Sequence, residues 1–181
     1  MYNEIIINLE EKKLDGDVLD IGFSNYGIVY NIYKCNNQDF QVEYIKEEDK
    51  INSIEKGIYD SCVLFLSFSG IMFKAKRKSL LEEICAYLKE DGVLHIWDIN
   101  KGYGEVFSKK IKVILPDKKS KEISVNDMNI FKDTSKEGTV KLLNQNFHII
   151  DCESLDYIYY IKAQKKRRDC INETKSDACR D

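Results

Sequence analysis

Asp17-Val18-Leu19-Asp20-Ile21-Gly22-Phe23-Ser24-Asn25-Tyr26-Gly27 is the stretch that decides the fold. Val18–Ile21 reads as a short buried strand. Ile28, Val29, Ile32 and Tyr33 follow at helical spacing, with Ser24 or Asn25 placed to cap the helix. A buried strand that ends in an acid and a glycine, then enters a helix, is how α/β folds present backbone N–H groups to a ligand.

The flanking sequence repeats the unit. Phe40, Val42 and Tyr44 alternate as a strand with a charged exit, Lys46 to Lys50, and Tyr59–Leu66 is a continuous apolar run of the kind buried on both faces of a parallel sheet. Leu80, Leu81, Ile84, Cys85 and Leu88 give a helix, with Gly92 placed to cap its C-terminus, and Val93–Ile99 is another buried strand. Strands alternating with helices predict an α/β, Rossmann-like, doubly wound sheet that is mostly parallel. Val18–Ile21 is expected at its centre, flanked by Cys62–Leu66 and directly by Phe40–Ile45. Beyond Gly104 the pattern changes to an inserted hairpin over 105–130, a helix over Ser135–Asn144, and a closing antiparallel pair, Phe147–Cys152 with Tyr157–Ala163. Tyr2, Ile5, Ile6 and Leu9 recur at helical spacing, so residues 1–12 are expected to form an amphipathic helix. These elements make one domain over 1–164, with a polar tail, 165–181, expected to be disordered.

Composition excludes several classes. A chain of 181 residues that is 43% hydrophobic has room for one ordinary core, and a net charge of −3 gives no general pull toward polyanions. A nucleic-acid partner is therefore not expected; the one dense basic run, Lys165 to Arg168, opens the tail. No apolar run reaches the roughly 18 residues of a membrane span, so no membrane partner and a cytoplasmic location are expected. The six cysteines include no C-x-x-C pair, and four sit in apolar segments as small hydrophobes, so neither a disulfide framework nor a metal site is indicated. His95 and His148 lie in strand-like runs far apart in sequence, which suits core or edge positions better than metal ligation.

The order strand-D-x-G-loop-helix, then Tyr59-Asp60-Ser61-Cys62-Val63-Leu64, then Leu88-Lys89-Glu90-Asp91-Gly92 and a strand ending in Asp98, resembles the class I S-adenosylmethionine-dependent methyltransferases over about Leu14 to Gln164. The resemblance implies S-adenosylmethionine as cofactor, a small-molecule or protein partner, and cofactor contacts from Asp20, Gly22, Ser24, Asn25, Gly27, Glu48 and Ser67. Two departures stand out. The family motif D-x-G-x-G-x-G keeps Asp20 and Gly22 but has Ser24 and Tyr26 at its later glycines, with Gly27 one residue late, so Tyr26 is expected to crowd the pocket beside Gly22. In addition, residues 28–59 must hold what takes the family two strand-helix units, when one βαβ unit already takes about 30 residues. The sheet is thus expected to be one strand short of the family's seven. If Phe40–Ile45 is the family's second strand, Glu47 or Glu48 stands for its ribose acid. If it is the third, as Val42-Glu43-Tyr44 suggests, Glu48 lies toward adenine and no ribose acid remains.

Ser67, Ser69, Asp98, Asn100 and Tyr103 also fall near the carboxyl ends of expected strands, where open α/β sheets bind ligands. His95, between Leu94 and Ile96 in a buried strand, is not expected to act as a base, and the residues name no other. The Asn/Asp-Pro-Pro-Tyr signature of amino-group methyltransferases is absent after Cys62–Leu66. Two functions stay open: methyl transfer from S-adenosylmethionine to a small molecule, or a non-catalytic binding module that has lost the cofactor.

Overall fold

In the computed structural model, which describes residues 5–24, 26–35, 41–46 and 54–167, strands β1 (Ile5–Asn8) and β2 (Val18–Gly22) precede helix α1 (Ile28–Lys34) and β3 (Val42–Lys46). Next come β4 (Tyr59–Phe65), a 3₁₀ turn (Phe68–Gly70), α2 (Lys74–Tyr87) and β5 (Leu88–Ile99). The hairpin β6 (Phe107–Ile114) and β7 (Ser120–Asp127) leads to α3 (Lys136–Leu143), β8 (Phe147–Leu155) and β9 (Ile158–Lys165). Six of these strands form the main sheet in the order β3-β2-β4-β5-β9-β8. β2 pairs in parallel with both β3 and β4, β4 with β5, and the last two strands run antiparallel.

The period-2 alternation of side chains splits the core in two. Leu19, Ile21, Cys62 and Leu64 face α2 and α3, meeting Leu80, Leu81, Ile84, Leu142 and Leu143. Val18, Val63 and Phe65 face the other way, against Ile28, Val29 and Ile32 of α1 and against Ile5, Ile7, Ile111 and Val113. The second face is thus covered by one short helix and a separate three-stranded sheet, β1-β6-β7. Nearly every residue of β2 and β4 is buried, as their unbroken apolar runs require.

Four expectations are corrected. Residues 5–8 form a strand rather than part of a helix: Ile5 and Ile7 are buried while Ile6 is exposed, and β1 pairs in parallel with β6. Three consecutive isoleucines favour a pleated surface, and helical spacing over so short a run fits a strand equally well. β2 lies one strand from the edge and β4 and β5 are central, because β3 directly follows β2 in the sheet and is terminal among the described strands. Gly92 lies within β5 rather than capping α2, in a bulge where Tyr59 pairs with Leu88 but Ser61 with Val93. Of the four cysteines taken as small hydrophobes, Cys62 and Cys85 are buried, while Cys35 and Cys152 are exposed.

Candidate functional site

β2, β3 and β4 deliver three side chains to one place. Asp20 pairs with Tyr44 of β3 and Val63 of β4, and residues in register on parallel strands share a face. Asp20 is only 9% exposed, among apolar neighbours. Desolvation alone pushes its carboxyl up to about 7. Among the described residues, no group donates a hydrogen bond to it.

Just beyond, at Gly22, the backbone is hemmed in. A Cβ there would come 2.8 Å from Ser67 Oγ and 3.8 Å from Tyr44 Cε2. The Tyr44 hydroxyl donates to the Gly22 carbonyl at 3.1 Å. Ser67 reaches this point because Leu66, just after β4, has φ of 50°, a left-handed conformation costly for a leucine. That turn folds Ser67 back so that its hydroxyl donates to the Phe65 carbonyl at 2.9 Å. Phe23 closes the approach from the next loop, since a Cβ on Gly70 would lie 2.3 Å from its ring. Two of the residues that the resemblance implied, Gly22 and Ser67, are therefore in contact, with Asp20 two residues back along β2.

The rest of the loop differs from expectation. Gly27, not Ser24 or Asn25, is the residue that caps α1, at φ of 62° and with its carbonyl taking the Asn31 N–H at 3.2 Å. Only glycine takes that conformation cheaply. Ser24 is exposed. Tyr26 does not fill the space beside Gly22. It packs on the core that faces α1, and its carbonyl accepts from Lys121 Nζ of β7 at 2.6 Å. Tyr44 is the aromatic side chain at Gly22, and the sequence reading missed it. The signal was available, because parallel pairing of the two strands in register sets Tyr44 beside Asp20. Asn25 and Glu48 lie outside the described residues.

The carboxyl end of β5 is a different kind of place. Asp98 is completely buried, and it accepts from the Ser69 N–H and the Ile99 N–H, each at 2.7 Å. Burial pushes its carboxyl up, opposed by those hydrogen bonds and by the charge of Arg77. Arg77, itself buried, donates to the carbonyls of Ile71 at 3.0 Å and Asp133 at 2.6 Å. Lys101, 2% exposed, donates to the carbonyls of Asn129 and Lys132 at 2.6 and 3.2 Å and faces Asp127 at 3.6 Å. Lys132 bridges Asp127 at 2.7 Å and the Ser69 carbonyl at 2.6 Å. Asn100 accepts the Lys136 N–H at 3.0 Å at the start of α3. Ser69, Asp98 and Asn100 thus join loops to one another, and Tyr103 is exposed.

His95 lies buried in β5 with Nδ1 2.9 Å from the Tyr160 hydroxyl, its pKa lowered to about 3 by burial and then by Lys162 and Lys12. It borders an open cleft of about 700 Å³, lined also by Asp15, Asp60, Lys89 and Lys162. That cleft sits at the amino ends of β4 and β5, away from Gly22 and Ser67.

No protein-family model matches the sequence, and no curated protein does either. Solved structures match the fold. DhpI, solved as its SAH complex, superposes with a TM-score of 0.55 at 13% identity, over 88% of this chain and 81% of DhpI. A SAM-dependent methyltransferase from Methanosarcina mazei gives 0.53 at 15% identity, over 86% and 95%. Burkholderia thailandensis 1,6-didemethyltoxoflavin-N1-methyltransferase, bound to 1,6-didemethyltoxoflavin and S-adenosylhomocysteine, gives 0.53 at 10% identity, over 84% and 72%. The fold is that of the class I S-adenosylmethionine-dependent methyltransferases. β2 is the strand that carries Asp20 and Gly22. The pair Gly22–Ser67 joins that strand's end to the end of β4, the switch point at which open α/β sheets take ligands.

Proposed function

We propose that the protein is an S-adenosylmethionine-dependent methyltransferase acting on a small molecule, with Asp20, Gly22, Ser24, Asn25, Gly27, Glu48 and Ser67 as its cofactor-binding residues. The observation that carries this reading is Asp20, a buried acid at the edge of the site to which no described residue donates a hydrogen bond. Such a group costs stability unless a ligand uses it. An orphaned acid fits a cofactor that is cationic at its methionine end, and the Gly22 backbone with the Ser67 hydroxyl makes the neighbouring wall. β3 stands immediately beside β2, and the reading gives Glu48, outside the described residues, a place toward adenine or, on the other alignment, toward the ribose. That direct pairing also supports the loss of one strand and its helix relative to the family's seven; the domain expected over 1–164 extends at least to Lys165, the last residue of β9.

When bound, S-adenosylmethionine supplies an electrophilic methyl on a sulfonium. The chain's share is to hold the cofactor and align the acceptor, which accounts for much of the rate in a transfer of this kind. Ionised Asp20 attracts the cationic end, and that charge pulls its carboxyl back toward the ordinary range. The non-catalytic alternative is not favoured, because its distinguishing sign, a Tyr26 ring beside Gly22, is not what the structure has. No helix among the described residues is long and apolar enough to cross a membrane, and we place the enzyme in the cytoplasm.

Calorimetry with S-adenosylmethionine and S-adenosylhomocysteine tests the proposal. Binding of both is expected, and Gly22→Leu should remove it at a stability cost of about 1–2 kcal/mol, since its side chain would displace the Ser67 hydroxyl. Absence of binding at millimolar concentration in the wild type would sink the reading.

A further inference from the structure

Three loops at the carboxyl end of the sheet carry large apolar side chains turned to solvent. Met72 and Phe73 follow the 3₁₀ turn, Tyr103 follows β5, and Met128, Ile130 and Phe131 follow β7. Phe131 is 84% exposed and Tyr103 70%. Single exposed hydrophobes need no explanation, but these are neighbours. The Gly104 N–H donates to the Ile130 carbonyl at 2.8 Å, which joins the second loop to the third. Lys132 Nζ reaches the Ser69 carbonyl at 2.6 Å, and Arg77 reaches the Asp133 carbonyl at 2.6 Å, which joins the third loop to the first. The buried Lys101–Asp127–Lys132 cluster beneath holds them in place, so the apolar tips stand on a rigid base.

Charge says what covers them. The chain's net charge is −3, yet residues 74–78, immediately after Phe73, hold Lys74, Lys76, Arg77 and Lys78 and no acid. Arg77 is buried, and the three lysines are exposed on the first turns of α2. The acids on these loops are engaged elsewhere: Glu105 accepts from the Gly102 N–H at 2.8 Å, Asp133 from the Ser135 N–H at 2.8 Å, and Asp127 is buried with its lysines. Lys78 faces Glu82 at 3.9 Å, whereas Lys74 and Lys76 stand beside the exposed aromatic and aliphatic tips, a combination that suits an anionic lipid surface, where apolar groups enter the acyl boundary and the cations meet headgroups. A second copy of this chain, with 31 acids against 28 basic residues, carries only a slight excess of acids to meet the lysines.

We propose that this face docks peripherally on an anionic bilayer, which would set the mouth near Gly22 and Ser67 against the membrane. The expectation of no membrane partner concerned spans, and this contact involves none. Sedimentation of the full chain with vesicles tests the docking without any cofactor, so it fails or succeeds apart from the methyltransferase reading. Vesicles of phosphatidylcholine with phosphatidylglycerol should retain the protein about tenfold or more better than phosphatidylcholine alone, and salt should weaken the binding. Phe73→Ser combined with Phe131→Ser should lower retention about tenfold. Lys74→Glu combined with Lys76→Glu should reduce anionic binding to the neutral-vesicle level, and Tyr30→Ser, on α1 away from the face, should change nothing. Equal retention on both vesicles, retention on neither, or unchanged retention in the paired variants overturns the proposal. So does a lipid-free dimer that Phe131→Ser dissolves, which would assign the face to a second copy.

Discussion

Asp20 and Asp98 are both buried acids near the carboxyl ends of parallel strands, and they have opposite surroundings. Asp98 receives two backbone N–H groups at 2.7 Å and has Arg77 nearby. Asp20 receives none from the described residues, and burial raises its pKa. Among the described residues, the donors stand at the end of β5 and not around Asp20. A fully satisfied acid holds loops together, while an unsatisfied one is a standing cost that makes sense where a ligand supplies the missing partner.

The largest expected effect tests the satisfied half. Asp98→Ala removes the acceptor for Ser69 and Ile99 and a buried carboxyl whose charge acts on Arg77, which should cost about 3–5 kcal/mol in urea unfolding. A loss under about 1 kcal/mol would show that Asp98 is as unsupported as Asp20.

The second prediction concerns Asp20 and uses pH. Folding raises its pKa from 3.8 to about 7, so the folded state keeps a proton that the unfolded chain has released. The stability this confers is complete below about pH 4 and is lost as pH rises toward 7. His95 acts in the reverse sense. Its pKa falls from 6.5 to about 3 on folding, so its contribution is complete above about pH 6.5 and is lost as pH falls toward 3. Between about pH 4 and 6.5 the two slopes, each about 1.4 kcal/mol per pH unit, offset one another. Asp20→Asn should therefore uncover the His95 slope, with stability rising across that range, and exceed the wild type near pH 7.5 by at most about 4 kcal/mol. The same substitution should abolish S-adenosylmethionine binding. A pH profile as flat as the wild type's, measured by urea unfolding, would break the comparison.

How much of this could be read in the sequence follows from what each signal depends on. β2, β4 and α2 were legible because long apolar runs and strong helical spacing admit few other structures. β1 was not, because four residues cannot distinguish a period of 3.6 from one of 2, and its partner β6 is about a hundred residues away. Gly22 and Ser67 were legible as ends of strands. Their contact was not, since it depends on the left-handed turn at Leu66, which no local sequence rule requires of a leucine. The place of Tyr26 was not legible because Lys121, which donates to its carbonyl, lies on the β6–β7 hairpin 95 residues away, and that docking leaves no local trace. Lys101 and Lys132 look like surface residues in sequence, and only the folded loops give them Asp127 and the backbone carbonyls they need.

The smallest effect bears on the unsatisfied half at its margin. The Tyr44 hydroxyl donates to the Gly22 carbonyl at 3.1 Å from a half-buried position, so Tyr44→Phe should cost only about 0.5–1.5 kcal/mol of stability. The ring remains and keeps its place beside Asp20, so the wall of the site survives while the backbone of Gly22 loses a tether. If the end of β2 is a ligand site, that tether sets the distance between Gly22 and whatever lies against it. Affinity for S-adenosylhomocysteine should then fall about three- to tenfold, a shift that calorimetry resolves, without the total loss expected of Gly22→Leu. An affinity unchanged in Tyr44→Phe, together with the expected small loss in stability, would make Tyr44 a packing residue of β3 and leave Asp20 and Ser67 as the side chains that define the site.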